Sequence, residues 1–258
     1  MKRAYADLPF GQMHYRYCGK GDPLIMIHLA GSCSDEYEEV GEMLADKFTV
    51  YAVDLFGMGY STKPDHKLSI VEHAQSIIDF MDALKIEKTY LYGTLVGANI
   101  SIRVSLKCPD RIKKAIFTQP VYMENYAEFQ ERGKLPAFND VELKADGSHL
   151  MEVWKKADMY GYPVEINNWR AVSLLNAGDF IECMHQAIFK EEDYNLLLPQ
   201  VKVPSTVVVF KNIPIANNAR LAVKLIPNAE LDEYEGGLPY HAKAQPQAVV
   251  DMVLKHLA

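Results

Sequence analysis

Five short apolar runs, separated by segments with helical spacing, restrict this chain more than any other feature. Pro23 to Leu29 (PLIMIHL), Phe48 to Leu55 (FTVYAVDL), Lys88 to Tyr92, Lys114 to Thr118 (KAIFT) and Thr206 to Phe210 (TVVVF) are near-continuous rather than alternating. A strand reads this way when both of its faces are covered. Met13 to Tyr17 alternates weakly and reads as an edge strand. Between the runs, Ser69-Ile70-Val71-Glu72 has the spacing of a capping box. It opens a helix whose apolar residues Val71, Ala74, Ile77, Ile78, Met81 and Leu84 fall on one side. Asn99 to Lys107, stopped near Pro109, and Pro246 to Leu257 are further helices. Strands alternating with helices specify an α/β fold, with a mostly parallel sheet covered on both faces. The 258 residues are enough for one large core.

One stretch breaks the alternation. From Val121 to Leu198 no comparable run occurs, while Trp154, Trp169 and helical pieces such as Gly147 to Met159 and Asp179 to Phe189 do. The expected organisation is a core formed by residues 1–120 and 201–258, with residues 121–200 inserted as a helical cap.

Charge and composition exclude several classes. The net charge of −7, from 27 basic and 34 acidic residues, argues against nucleic acid or an anionic membrane as partner. No run of 18 apolar residues suggests a transmembrane span, and Met1 to Pro9 lacks the apolar core of a signal peptide. A cytoplasmic protein is expected. Cys18, Cys33, Cys108 and Cys183 have neither metal-ligand spacing nor disulfide-scaffold density, so they read as free thiols. No metal and no cofactor are expected.

The segment Tyr90-Leu91-Tyr92-Gly93-Thr94-Leu95-Val96-Gly97-Ala98 reads as a strand, a small-residue turn and a helix. It follows the G-x-S-x-G nucleophile elbow except that Leu95 replaces the serine. Leucine has no hydroxyl, thiol or carboxylate with which to attack a carbonyl.

Together with three further segments, this one resembles the α/β-hydrolase superfamily, and the resemblance covers almost the whole chain. Pro23 to Ser32 is similar to the family's strand and His-Gly oxyanion loop, with Leu29 where glycine is usual. Asp54-Leu55-Phe56-Gly57-Met58-Gly59-Tyr60-Ser61-Thr62-Lys63-Pro64 resembles the D-x-x-G-x-G-x-S-x-x-P loop. Cys108-Pro109-Asp110-Arg111-Ile112 resembles H-P-[ED]-R-[VI], with Cys108 for histidine. The resemblance implies a Ser-Asp-His triad, yet the three positions read Leu95, Ile213 and Leu238. Ile213 stands in Phe210-Lys211-Asn212-Ile213-Pro214-Ile215, a segment one residue short of the family pattern. Where family members carry the acid one strand earlier, this chain has Thr118-Gln119-Pro120 and no carboxylate until Glu124. With all three positions aliphatic, no acyl intermediate can form by the usual route.

Two residues are candidates to restore catalysis: His241, three residues beyond Leu238, and Cys33 in the oxyanion loop. His28 and Asp54 are expected to orient loops, and His185 to be a packing histidine. Ser34, Asp35 and Glu36 are expected to cap the first helix. By family position the amides of Ala30 and Val96 form the oxyanion site. Ala30, Leu95, Val96, Leu238, Tyr122 and Trp154 are the expected ligand contacts.

The expected function is non-hydrolytic binding of a small apolar or carbonyl-bearing molecule between core and cap, with a protein partner left open. The alternatives are a cyclase, isomerase or lyase that works by orientation and oxyanion donors, and a hydrolase with a non-standard nucleophile.

Overall fold

The computed structural model describes residues 1–124, 142–158, 161–191, 193–235 and 241–258 (of 190, 191 and 241 the backbone alone). The strands are β1 (Lys2–Leu8), β2 (Gly11–Gly19), β3 (Asp22–Ile27), β4 (Phe48–Val53), β5 (Thr89–Thr94), β6 (Ile112–Thr118), β7 (Ser205–Phe210) and β8 (Ala229–Tyr234). They form one sheet in the order β1-β2-β4-β3-β5-β6-β7-β8. The β1–β2 and β2–β4 pairs are antiparallel and all others are parallel, with Met26 opposite both Ala52 and Tyr92, and Ile116 opposite Thr206.

The helices are α1 (Glu38–Leu44), α2 (Ile70–Ala83), α3 (Val96–Lys107), α4 (Ser148–Asp158), α5 (Val164–Ala177), α6 (Phe180–Glu191), α7 (Tyr194–Leu197), α8 (Ala216–Val223), α9 (His241–Ala244) and α10 (Pro246–Leu257). The capping box forms as the sequence requires: Ser69 Oγ accepts from Glu72 N–H at 3.1 Å, and Glu72 Oε2 accepts from Ser69 N–H at 2.8 Å. Helices α2 and α3 pack together, as do α1 and α10, which covers both faces of the sheet. Leu24, Ile25, Met26 and Ile27 of β3 are wholly buried between these layers. Helices α4, α5 and α6 lie between β6 and β7 and make the inserted cap. Among the described residues no helix is long and apolar enough to cross a membrane.

The structure corrects the edges. The segment 13–17 lies in β2, which is not an edge strand, because β1 pairs outside it. Neither β1 nor β8 reads as a buried run, since an edge strand is covered less completely than a central one. β8 (AELDEY) contains no fully buried residue, and its Leu231 is exposed. Its acids are matched by Lys255 at 2.6 Å from Asp232 and Arg220 at 2.5 Å from Glu233. Helix α5 also escapes notice in the sequence, because its apolar residues lie around its circumference and form no single stripe.

Candidate functional site

One residue separates β5 from α3, and it is Leu95, with φ 52° and ψ −114°. A non-glycine residue in such a conformation costs about 1–3 kcal/mol and persists only when its surroundings dictate it. Those surroundings are visible. A Cβ on Gly93 would fall 2.3 Å from the Gly97 carbonyl oxygen, and one on Gly97 would fall 2.2 Å from the Ile27 carbonyl oxygen. The Leu95 N–H donates to Thr118 O at 2.9 Å, and the Leu95 carbonyl accepts from Ala98 at 2.9 Å and Asn99 at 3.2 Å. The result is a nucleophile elbow that presents a half-buried leucine.

The contact of Gly97 with Ile27 and His28 sets the elbow against the start of the oxyanion loop. Gly31, at φ 77°, donates its N–H to Met58 Sδ at 3.4 Å. Ala30 and Val96 are both buried, and no acceptor among the described residues takes either amide hydrogen. His28 holds the loop from below: Nδ1 donates to Leu29 O at 2.7 Å, and Nε2 accepts the Leu55 N–H at 3.0 Å. Complete burial lowers its pKa, in keeping with a neutral ring. Asp54 accepts from Ser34 N–H at 2.5 Å and Tyr60 N–H at 2.8 Å, and bonds His14 Nδ1 at 2.8 Å. Burial alone would raise its pKa, but the His14 bond, the nearby His28 and these amides hold it below the ordinary value. Both residues orient loops, as their positions in the sequence suggest.

Ile213 is buried in the loop between β7 and α8. A residue that sequence reasoning passed over ties this loop to the elbow. Gln119 follows Thr118, the partner of Leu95, and is wholly buried at φ 51°. Its Nε2 donates to Ile215 O at 2.9 Å and its Oε1 accepts the Phe210 N–H at 3.1 Å. Leu95 and the loop that carries Ile213 are thereby joined through the adjacent residues Thr118 and Gln119. Leu238 and the His241 side chain lie outside the described residues.

The cap closes directly over the oxyanion loop. A Cβ on Gly31 would stand 2.8 Å from a Leu174 methyl and 3.0 Å from an Ile181 methyl. A Cβ on Gly57 would stand 2.1 Å from the Phe180 ring. Tyr122 is buried, and its hydroxyl donates to Asn195 Oδ1 at 2.6 Å, so that group is already engaged. Trp154 packs half-buried on α4 against the apolar core. His185 is largely buried on α6, which lowers its pKa to about 4.

Two acid–base features differ from the sequence reading. Cys33 is buried against Ser173 of the cap, with Sγ 4.0 Å from Oγ, and burial pushes its thiol up to about 12. A thiol that stays protonated is a poor nucleophile. Glu36 lies in the first turn, as expected of a cap residue, but its side chain is turned back to Ser32. It is buried, accepts from Ser32 Oγ at 2.5 Å, and burial raises its pKa to about 7. Asp35 bridges instead to Arg16 at 2.6 Å and Lys243 of α9 at 3.2 Å. The N-cap of the 3-10 turn Ser34–Tyr37 is Cys33, whose side chain makes no cap bond, and Asp54 accepts the first amide of the turn instead. The Ser32–Glu36 spacing of four was the available signal.

An eight-stranded, mostly parallel sheet with an elbow, an adjacent oxyanion loop and an inserted cap defines an α/β-hydrolase architecture. The sequence matches the alpha/beta hydrolase fold family over residues 22–243, and the chain belongs to that family. It is 30% identical over 102 residues to an uncharacterized protein of Mycobacterium tuberculosis, covering 40% of this chain and 30% of the relative. It is 31% identical over 111 residues to haloalkane dehalogenase 2 of Mycobacterium bovis, covering 43% of this chain and 39% of the relative. The matched region thus spans less than two fifths of either relative's length. A hydrolase from Pseudomonas aeruginosa superposes with a TM-score of 0.81 at 17% identity, covering 99% of this chain and 98% of that one. An enol-lactonase from Burkholderia xenovorans does so with 0.79 at 15% identity, covering 98% and 99%. At such identities the likeness speaks to the fold alone.

Proposed function

We propose that this protein is an α/β-hydrolase-fold member without a catalytic triad, and that it binds a small, largely apolar molecule between core and cap without hydrolysing it. The elbow carries this reading: its strained backbone at φ 52° is kept while residue 95 is an aliphatic side chain. Ile213, buried in the acid loop, and Leu238 by sequence complete an apolar set. Leu174 and Ile181 above Gly31 supply an apolar roof. The amides of Ala30 and Val96 supply two donors for a carbonyl or carboxylate oxygen. Tyr122 and Trp154 belong to the proposed walls, and we place the cap at residues 121–200 and the core at 1–120 and 201–258. An enol-lactonase among its structural neighbours fits a compact carbonyl-bearing ligand. Neither nucleic acid nor membrane is a proposed partner, and the proposed compartment is the cytoplasm.

A second reading, a cyclase, isomerase or lyase, is favoured by Glu36. Its buried carboxyl, with a pKa of about 7, has the proton affinity of a general base, and it bonds the Ser32 hydroxyl of the oxyanion loop at 2.5 Å. Hydrolysis through Cys33 is disfavoured by its protonated, buried thiol.

The test uses displacement of the fluorescent apolar probe 1-anilinonaphthalene-8-sulfonate by medium-chain lactones, methyl ketones and alkanoates. Displacement by at least one class, weakened about tenfold or more in Leu95→Arg, supports binding at the elbow. Mass spectrometry of the recovered ligand should find it unchanged in a simple binder and rearranged in the second reading. Absence of displacement by all three classes, or recovery of a lactone as its hydroxy acid, overturns the proposal.

A further inference from the structure

The corner between α5 and α6 meets the core loop 57–67 through five contacts. Asn176 Nδ2 donates to Gly59 O at 2.6 Å, and Lys63 Nζ donates to Asn176 O. Lys67 Nζ lies 2.8 Å from Asp179 Oδ2 and 3.6 Å from the centroid of the Phe180 ring. Phe180 in turn rests on Gly57, where a Cβ would be 2.1 Å from its ring. The corner turns at Gly178, whose φ of 56° lies in the left-handed region and whose position leaves open space where a side chain would stand. Leu174, one turn back along α5, covers Gly31 of the oxyanion loop. Releasing this corner therefore uncovers the floor of the candidate site.

The two kinds of contact differ in strength. Phe180 on Gly57 is a packing contact and fixes where the corner seats. The lysine contacts are partly open to solvent: the side chains of Lys67 and Asp179 are 38% and 77% exposed. Exposed ion pairs are weak and screened by salt. A cation over an aromatic face adds a modest attraction. Such contacts bias an equilibrium without locking it, which is what a repeatedly opening cover needs.

We propose that the α5–α6 corner is a salt-sensitive latch, in which Lys63 and Lys67 hold Asn176, Asp179 and Phe180, and whose release admits the ligand beneath the cap. The latch rests on the binding reading only for what it admits; its opening is a property of the protein alone. Amide hydrogen exchange followed by mass spectrometry reads that opening without any ligand. In Lys67→Met, peptides covering residues 176–189 should exchange about three- to tenfold faster, while peptides from β3 stay unchanged. Raising sodium chloride to about 0.5 M should accelerate the same peptides in the wild type and add little in Lys67→Met. Lys67→Arg, which keeps both the charge and the stacking, should restore slow exchange. If Lys67→Met accelerates β3 equally, Asp179→Asn decides: acceleration confined to 176–189 supports the latch, and none overturns it. Unchanged exchange in Lys67→Met, or equal salt effects on both proteins, also overturns it. No binding of 1-anilinonaphthalene-8-sulfonate to a protein whose latch opens as described would count against the binding reading and leave the opening itself standing, whereas binding no faster in Lys67→Met than in the wild type would overturn the latch as the point of entry.

Discussion

Replacing Glu36 with glutamine should stabilise the protein, and only at neutral and alkaline pH. Burial raises this carboxyl from 4.5 to about 7, and the Ser32 hydroxyl bond and the charge of Lys243 offset only part of the loss of water. A carboxyl with a raised folded pKa contributes its stability below the unfolded value and loses it as pH rises through the folded one. Above about pH 7 the folded protein therefore carries a charge it would rather shed. The difference of about 2.5 pKa units corresponds to about 3 kcal/mol at about pH 8. At about pH 5 the folded carboxyl is already protonated, and less than about 1 kcal/mol separates the two proteins. Glutamine keeps the acceptor for Ser32 Oγ and removes the charge. Thermal unfolding should give Glu36→Gln a Tm on the order of 10 °C above wild type at about pH 8, and only a few degrees above it at about pH 5. Equal differences at both pH values, or a lower Tm at the higher pH, would refute the buried-carboxyl reasoning.

The remaining expectations concern the elbow and its supports. Leu95→Ser alone should hydrolyse no p-nitrophenyl butyrate beyond the wild type, since a serine without a base is a weak nucleophile. The triple change Leu95→Ser, Ile213→Asp, Leu238→His should give slow, measurable hydrolysis and lower stability by a few kcal/mol, read by ester assay and thermal melt. Gln119→Leu leaves the Phe210 N–H and Ile215 carbonyl without their partner and should destabilise by about 2–4 kcal/mol in urea unfolding. Cys33 should resist iodoacetamide at neutral pH in the native protein and react once the protein is unfolded, as peptide mapping would register.

The central sheet could be read from the sequence because its strands are buried on both faces, and that demands uninterrupted apolar runs. Pro23 to Leu29 and Thr206 to Phe210 each coincide closely with a central strand. The edge strand β8 was not legible, since its acids are placed by tertiary neighbours such as Lys255 and Arg220. The elbow was legible in a different way: two glycines at fixed spacing are required by backbone collisions that no side chain could relieve. Gln119 and Glu36 were hidden because their meaning depends on what the fold brings beside them. Gln119 takes partners 91 and 96 residues away, and nothing in its own neighbourhood marks it. Glu36 looks like an acid at a helix start until the surrounding layers close over it.

The claim on which the account turns is that the elbow has lost its chemistry while keeping its shape. A fluorophosphonate probe reports this directly, because it forms a covalent bond only with an activated nucleophile. Incubated in excess with the folded protein and examined by intact mass spectrometry, it should leave the mass unchanged. An adduct of one probe per chain, absent after heat denaturation, would contradict the account, and mapping it would name the nucleophile that acts in place of residue 95.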